Sequence, residues 1–394
     1  MKPLSGVRVL ELARILAGPW TGQILADLGA SVIKVERTEG GDDTRSWGPP
    51  FVSDADGSQS AAYYHATNRG KRSLALDFEK PADRATAQQL AKHADIIIEN
   101  FKVGGLAKYG LDYAAVKSTN PGVIYCSITG FGQTGPYAHR AGYDYIVQGM
   151  GGIMDLTGSP DGEPQKIGVA LADILTGVYA AVATEAALIR RQVTGEGAFV
   201  DMALLDTQVS VLANQAMNYL VSGVPPTRLG NAHPNIVPYQ VFPTRDGQII
   251  IASGNDAHFA RICALLGLTE LLADGKYARN ESRVKQRDEL IPILAKATSG
   301  WTSRELLDAL EEVVVPAGPI NRLDQVFQDP QVVERGMRCD VPRSDGSIVP
   351  SVRSPIVIDG TPCVANAASP ALGEHNQEIL RAIEAGTDPW LARS

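Results

Sequence analysis

The sequence predicts an α/β protein, with a large Rossmann-like domain built on a parallel sheet and a smaller α+β domain. Three observations carry that prediction. Short apolar strands alternate with helical stretches through the first half of the chain, which is the pattern of a parallel sheet covered by helices on both faces. The turn-rich run GVPPTRLGNAHPNIVP (223–238) interrupts the alternation and is followed by a hairpin and helices, as expected of a crossing into a second domain. At 394 residues the chain is also too long for one ordinary core.

In order, Val7 to Leu12 (VRVLEL) reads as a strand. Ala17-Gly18-Pro19 opens a helix with proline in its first turn, running to about Leu28. Ser31 to Glu36 (SVIKVE) is a second strand, and together these make half of a nucleotide-binding unit. Ser73 to Phe78 and Asp95 to Ile98 are strands around a helix near Ala82 to His93, and Val123 to Ser127 is another strand. A loop rich in glycine and aromatics follows, then a strand at Ala198 to Met202 and a helix from Leu204 to about Val221. The expected boundaries are 1–222 for the large domain, 223–238 for the linker and 239–330 for the small domain. Residues 331–394 then return to the large one. Within the small domain, Tyr239 to Phe242 and Gln248 to Ser253 form a hairpin around Arg245-Asp246-Gly247. Helices near Ala257 to Leu266 and Ser303 to Glu312 follow, with VVVPAGPI as a further strand. A last helix lies near Glu374 to Glu384.

One stretch stands apart. Ile167 to Gln192 places Asp173 among Val169, Ala170, Leu171, Ala172, Ile174, Leu175 and Val178. A charge in such company costs several kcal/mol unless it is hydrogen-bonded or has work to do. The run is a good helix, with Arg190 and Arg191 near its end and Gly195 beyond. Asp173 falls in the first turn, where unpaired N–H groups favour an anion. On the residues alone it is therefore a capping acid as readily as a functional one. Asp173 and Glu185 interrupt the apolar run well short of the ~20 residues that span a bilayer.

A net charge of −8 argues against nonspecific nucleic-acid binding. Cys126, Cys263, Cys339 and Cys363 form no CxxC pair, so reduced, packed thiols are expected and no metal site is. The opening MKPLSGVRVLELA lacks the form of a secretory signal, and the cytoplasm is the expected compartment. Glu36 stands where an acid could hold a ribose, but ARILAGPW replaces the G-x-G-x-x-G fingerprint, and a nicotinamide cofactor is set aside.

The motifs PLSGVRVLELARILAGP, LGASVIKVER, GDDTRSWGPPF, NRGKRSLALD, ADIIIENF, SITGFGQTGP, AGYDY and VALADILTG occur in this order. By them the chain resembles the family III coenzyme A transferases over nearly its whole length. GDDTRSWGPPF, NAHPNIVPYQ and VPAGPIN look most like the branch that uses succinyl-CoA with small dicarboxylates such as glutarate. The resemblance implies an interlocked, ring-like homodimer and coenzyme A as the shuttled substrate, with no metal. It makes Asp173 the nucleophile, forming an aspartyl anhydride and then an aspartyl-CoA thioester.

By motif match the resemblance also places Ile15, Leu16, Ala17, Arg37, Asn68, Lys71, Arg72, Asn100, Phe101 and Lys108 around CoA. Lys108 stands where a relative carries arginine. Gly254, in the single-glycine stretch Ser253-Gly254-Asn255-Asp256, matches the family's oxyanion-stabilising loop. Trp47 is expected over the acyl group, with Arg45, Arg69, Asp144 and His233 as candidates for the acid substrate. The racemases of the superfamily carry histidine at Tyr143. Tyrosine, with an ordinary pKa of about 10, is a poor proton shuttle and speaks for transfer. An α-methylacyl-CoA racemase and a non-catalytic CoA-binding protein are the rival readings.

Overall fold

The computed structural model describes residues 1–53, 57–343 and 346–391. The chain divides into two compact units. One comprises Met1–Ile153, Lys166–Val221 and Pro330–Ser394, the other Met154–Gln165 and Ser222–Asp329.

The first unit is built on a six-stranded sheet of β1 (Arg8–Glu11), β2 (Ser31–Glu36), β3 (Lys71–Ala75), β4 (Ile96–Glu99), β5 (Ile124–Thr129) and β6 (Ala198–Ala203). The strands lie in the order β3-β2-β1-β4-β5-β6, and every pair is parallel. Helix α1 (Ala17–Asp27) links β1 to β2, and α2 (Pro81–His93) links β3 to β4. Leu25, Val9, Ile96, Ile98 and Ala180 pack in the core on one face, and Leu10, Ile33, Leu74, Leu90 and Ile97 on the other. The chain leaves β1 toward β3, then resumes at β4 on β1's other side. The crevice beyond the carboxyl ends of β1 and β4 is thus a switch point, where open α/β sheets bind ligands.

Helix α3 (Asp144–Met150) precedes the long helix α4 (Leu171–Thr194). Gly195 ends α4 in the left-handed conformation, at φ 75°. By length and composition α4 is apolar enough to cross a membrane, so the spacing of its acids does not by itself rule that out. Its packing makes it a core helix: Ala172, Thr176, Ala180, Ala181, Thr184 and Leu188 are buried. Gly177 sits where an added Cβ would come within 2.7 Å of the Ala17 carbonyl oxygen. Thr21 Oγ1 spans the same contact, donating to the carbonyls of Ala17 and Gly177 at 2.9 and 3.1 Å. The position of α4 is therefore set directly by α1.

Helix α1 is in turn fixed by buried charge. Glu11, at the end of β1, accepts from Lys34 at 3.0 Å and from Lys71 at 2.8–3.0 Å. Lys34 also contacts Asp42 at 2.9 Å, and Lys71 donates to the Pro19 carbonyl in α1 at 2.8 Å. Burial draws the Lys34 ammonium down, but Asp42 and Glu11 outweigh it and hold it above its ordinary range. Lys71, less fully compensated, is lowered by burial to about 8.

The second unit carries an antiparallel sheet of β7 (Tyr239–Pro243), β8 (Gln248–Ala252) and β9 (Ala317–Pro319), ordered β9-β8-β7. Helices α6 (Asp256–Leu265), α7 (Arg287–Thr298) and α8 (Ser303–Glu312) pack on it around Phe242, Ile249, Phe259, Leu294 and Leu306. Helix α5 (Ala213–Ser222) closes the middle of the first unit, and α9 (Asn376–Glu384) its last stretch.

Several boundaries differ from the sequence reading. Strand β3 begins at Lys71 rather than Ser73, because the Lys71 amine, polar in sequence, is buried on Glu11. The expected Leu204–Val221 helix breaks into Leu204–Ser210 and α5, with Ala213 at φ 46°. Only Ala317–Pro319 of VVVPAGPI is a strand, since Val314 turns the chain at φ 54° after α8. Helix α7 was hidden by Pro292 within it.

Replacing Glu11 with leucine leaves Lys71 without a carboxylate partner and Lys34 with only Asp42. Breaking a buried pair in this way costs about 3–5 kcal/mol. Urea unfolding should show a clear fall in the midpoint for Glu11→Leu, and an unchanged midpoint would show that this cluster does not fix α1.

Candidate active site

Asp173 lies one residue past the buried Ala172 in the first turn of α4 and is itself partly buried. The described residues give its carboxylate no cation and no hydrogen bond. Burial first, and then the nearby charge of Asp144, push its pKa up to about 7. Asp144, the first residue of α3, turns its carboxylate onto the start of α4. Its Oδ1 accepts from the backbone N–H of Ala172 at 2.9 Å and of Asp173 at 3.4 Å. The helix is thus capped from outside, and Asp173 is freed from a capping role. Tyr63, which the sequence reading missed, shares this environment. Burial, then the charges of Asp173 and Asp144, raise its hydroxyl to about 12. Its ring meets Trp47 edge-on at 5.4 Å, and both rings are partly exposed.

The crevice opens at the amino-terminal end of α1, the same end that Gly177 of α4 meets at Ala17. Asn100, just after β4, accepts from Arg14 N–H at 3.0 Å and donates to Arg14 O at 2.7 Å, joining the loops that follow β4 and β1. Ile15 is at φ 74°, a strained conformation for a β-branched residue. Asp42 accepts its N–H at 3.1–3.2 Å. Lys34 and the N–H of Thr44 more than offset the effect of burial and hold Asp42 at about 2, so it remains an acceptor at all ordinary pH. Outside this loop, Arg14 and Arg37 flank Asp43 at 2.6 and 2.9 Å with half or more of each side chain exposed. Lys108 is also exposed, on Glu79 at 2.9 Å. An unpaired, partly buried carboxylate on α4 and the exposed cations Arg14 and Arg37 beside the loop that opens α1 suit an acyl thioester with a phosphorylated head.

Residues 4–376 match the profile of CoA-transferase family III. The chain belongs to that family. It is 58% identical to a succinate–glutarate CoA-transferase of Agrobacterium fabrum, over 97% of this chain and 96% of the relative. It is 42% identical to the human succinyl-CoA:glutarate CoA-transferase, over 97% and 86%. A CAIB/BAIF family protein from Brucella suis superposes with a TM-score of 0.86 at 55% identity, covering 98% and 100% of the two chains.

In this CoA-transferase several expected contacts are committed elsewhere. Arg45 is buried, donating to Glu36 through Nε and Nη2 at 2.8 Å and to Tyr64 and the Pro370 carbonyl, so it is structural. Arg69 is buried on Asp27 at 2.6 Å and on the Val352 carbonyl, joining α1 to the C-terminal stretch. Lys71 is sealed beneath α1, and Asn68 is buried with its amide on the Tyr64 carbonyl and its oxygen on Lys71. Arg72 holds Glu378 at 3.0 Å and the Pro389 carbonyl. These five belong to the scaffold, because the low dielectric that would strengthen a ligand contact has already been used on protein partners.

In the second unit, His233 is engaged locally, its Nδ1 accepting from Asn235 N–H and its ring 5.1 Å from Tyr239. Gly254 N–H donates to His258 Nδ1 at 3.2 Å, so this donor is occupied rather than open to an oxyanion. Tyr143 is exposed ahead of α3. Phe101 packs beside Phe78, ring centres 6.5 Å apart, with its N–H on Glu99 at 2.8 Å. Leu16 and Ala17 are buried, whereas Ile15 is partly exposed. Among the described residues no His/Cys/Asp/Glu group could hold a metal.

Because Asp173 titrates higher folded than unfolded, its ionisation opposes folding. The cost is absent below about pH 4, grows through the interval to about 7 and is complete above it. Asp173→Asn should therefore raise the melting temperature of the ligand-free protein more at pH 8 than at pH 5. An equal or smaller gain at pH 8 would show that the carboxylate is solvated.

Proposed function

We propose that this CoA-transferase moves CoA from succinyl-CoA to glutarate or a similar small dicarboxylic acid, with Asp173 as the nucleophile. The observation that supports this reading is the unpaired, partly buried carboxylate of Asp173, whose pKa burial and Asp144 push up to about 7, and the names of the 58% and 42% identical relatives point to the acids. An Asp173 oxygen attacks the thioester carbonyl, the C–S bond breaks, and CoA leaves as thiolate. The thiolate then attacks the aspartyl carbonyl of the anhydride, releasing succinate and leaving an Asp173–CoA thioester. Glutarate repeats the two steps in reverse, and the transferred acid leaves as glutaryl-CoA.

The absence of a hydrogen bond matters here. A solvated carboxylate is a weak nucleophile, and water would hydrolyse the anhydride. Trp47 and Tyr63 form the aromatic wall nearest the acyl group. Arg14, Arg37 and Lys108 are exposed cations that can exchange their surface carboxylate partners for phosphate, with Ile15, Asn100 and Phe101 shaping the crevice.

The working form is a homodimer, on this reading. The outer side of α4 exposes Val178, Val182, Ile189 and Val193, and α5 adds Met217 and Leu220. Exposed apolar side chains in such number suit a second copy of the chain, and light scattering should give twice the chain mass.

Oxygen-18 from labelled glutarate should enter Asp173 and then the released succinate over successive turnovers with succinyl-CoA. Glutaryl-CoA formed with no label in succinate would refute the anhydride route. Loss of an α-proton from acyl-CoA without any acceptor acid would favour racemisation instead.

A further inference from the structure

Gln148 is fully buried in the second turn of α3, and both ends of its carboxamide are in use. Nε2 donates to Asp144 Oδ2 at 2.7 Å and to the Val169 carbonyl at 3.4 Å, while Oε1 accepts from Ile167 N–H at 2.9 Å. Ile167 and Val169 belong to the irregular segment that enters α4, where Gly168 and Val169 are exposed. Asp144 continues the linkage through its other oxygen to the N–H groups of Ala172 and Asp173. One side chain thus grips both the approach to the helix and the acid that caps it.

We propose that Gln148 is a positioning residue for CoA transfer, setting the turn that carries Asp173 through Asp144 and the backbone of residues 167–169. The proposal rests on Asp173 being the nucleophile. The neutral carboxamide meets both demands at once, donating to a carboxylate while accepting from an amide. Glutamate in its ionised form keeps the acceptor, loses the donor and sets a third carboxylate beside Asp144 and Asp173. Methionine fills the volume and makes neither bond. The titratable groups facing Asp173 are Asp144 and Tyr63, with Asp42 acting on Tyr63 from beyond it.

The test is steady-state transfer from succinyl-CoA to glutarate across pH 5–9 for the full-length wild type, Gln148→Met, Gln148→Glu and Asp173→Asn. Small misplacements of a reacting group cost up to about 100-fold in rate. Gln148→Met should lose about 10–100-fold in kcat with KM for both substrates little changed, as befits an interaction that orients rather than binds. Gln148→Glu should lose kcat too, with the acid limb of its pH profile moved upward by the added charge. A merely structural role would lower the yield of folded enzyme and leave that limb in place. Folded Gln148→Met with wild-type kcat would overturn the proposal. If Gln148→Met does not fold, Gln148→Glu with undiminished kcat and an unmoved limb does the same. Transfer retained by Asp173→Asn would instead overturn the nucleophile assignment, a result distinguishable from the other two.

Discussion

One carboxylate, Glu11, shared between the buried ammonium groups of Lys34 and Lys71, holds the rest of the arrangement in place. Lys71 pins the first turn of α1 through the Pro19 carbonyl, and Lys34 with Asp42 sets the loop that contains the strained Ile15. Helix α1 then meets α4 at Gly177, one turn beyond Asp173. A glycine there lets the two helices approach to backbone distance, which a side chain would forbid. The route from a charge cluster in the sheet to Asp173 on α4 is short.

The protein treats its buried acids in two ways. Glu36 and Asp42 are met by Arg45 and Lys34, which overcome the effect of burial and keep both below the ordinary carboxylate range. Asp173 and Glu99 receive no cation, and burial takes each to about 7. Glu99 at least accepts from Phe101 N–H and serves the turn after β4. Asp173 is left without such a partner, with a second acid alongside. A fold that supplies lysine or arginine to Glu11, Asp27, Glu36 and Asp42 gives none to Asp173, which suits the role proposed for it.

The parallel sheet was legible because its strands are short apolar runs spaced by helices, and Asp173 because a charge in an Ala- and Leu-rich helix stands out. The cations were not. Arg45, Arg69, Lys71 and Arg72 read like ligand-binding side chains, yet their partners Glu36, Asp27, Glu11 and Glu378 are 9, 42, 60 and 306 positions away. A one-dimensional reading cannot tell a buried, paired cation from an exposed one. Arg14 was passed over although it directly precedes the expected Ile15. Tyr63 and Gln148 carried no signal beyond aromatic and polar composition, since their meaning comes from contacts across the fold. The second unit was harder still, with Val314 and Pro292 obscuring where its elements begin and end.

Chemical trapping tests the claim about Asp173 most directly. The enzyme is incubated with succinyl-CoA and no acceptor acid, reduced with borohydride, and its peptides are weighed by mass spectrometry. A thioester at Asp173 should be reduced to an alcohol at that position, in proportion to the succinate released. Succinate release with Asp173 unmodified, or reduction at another side chain, would contradict the account.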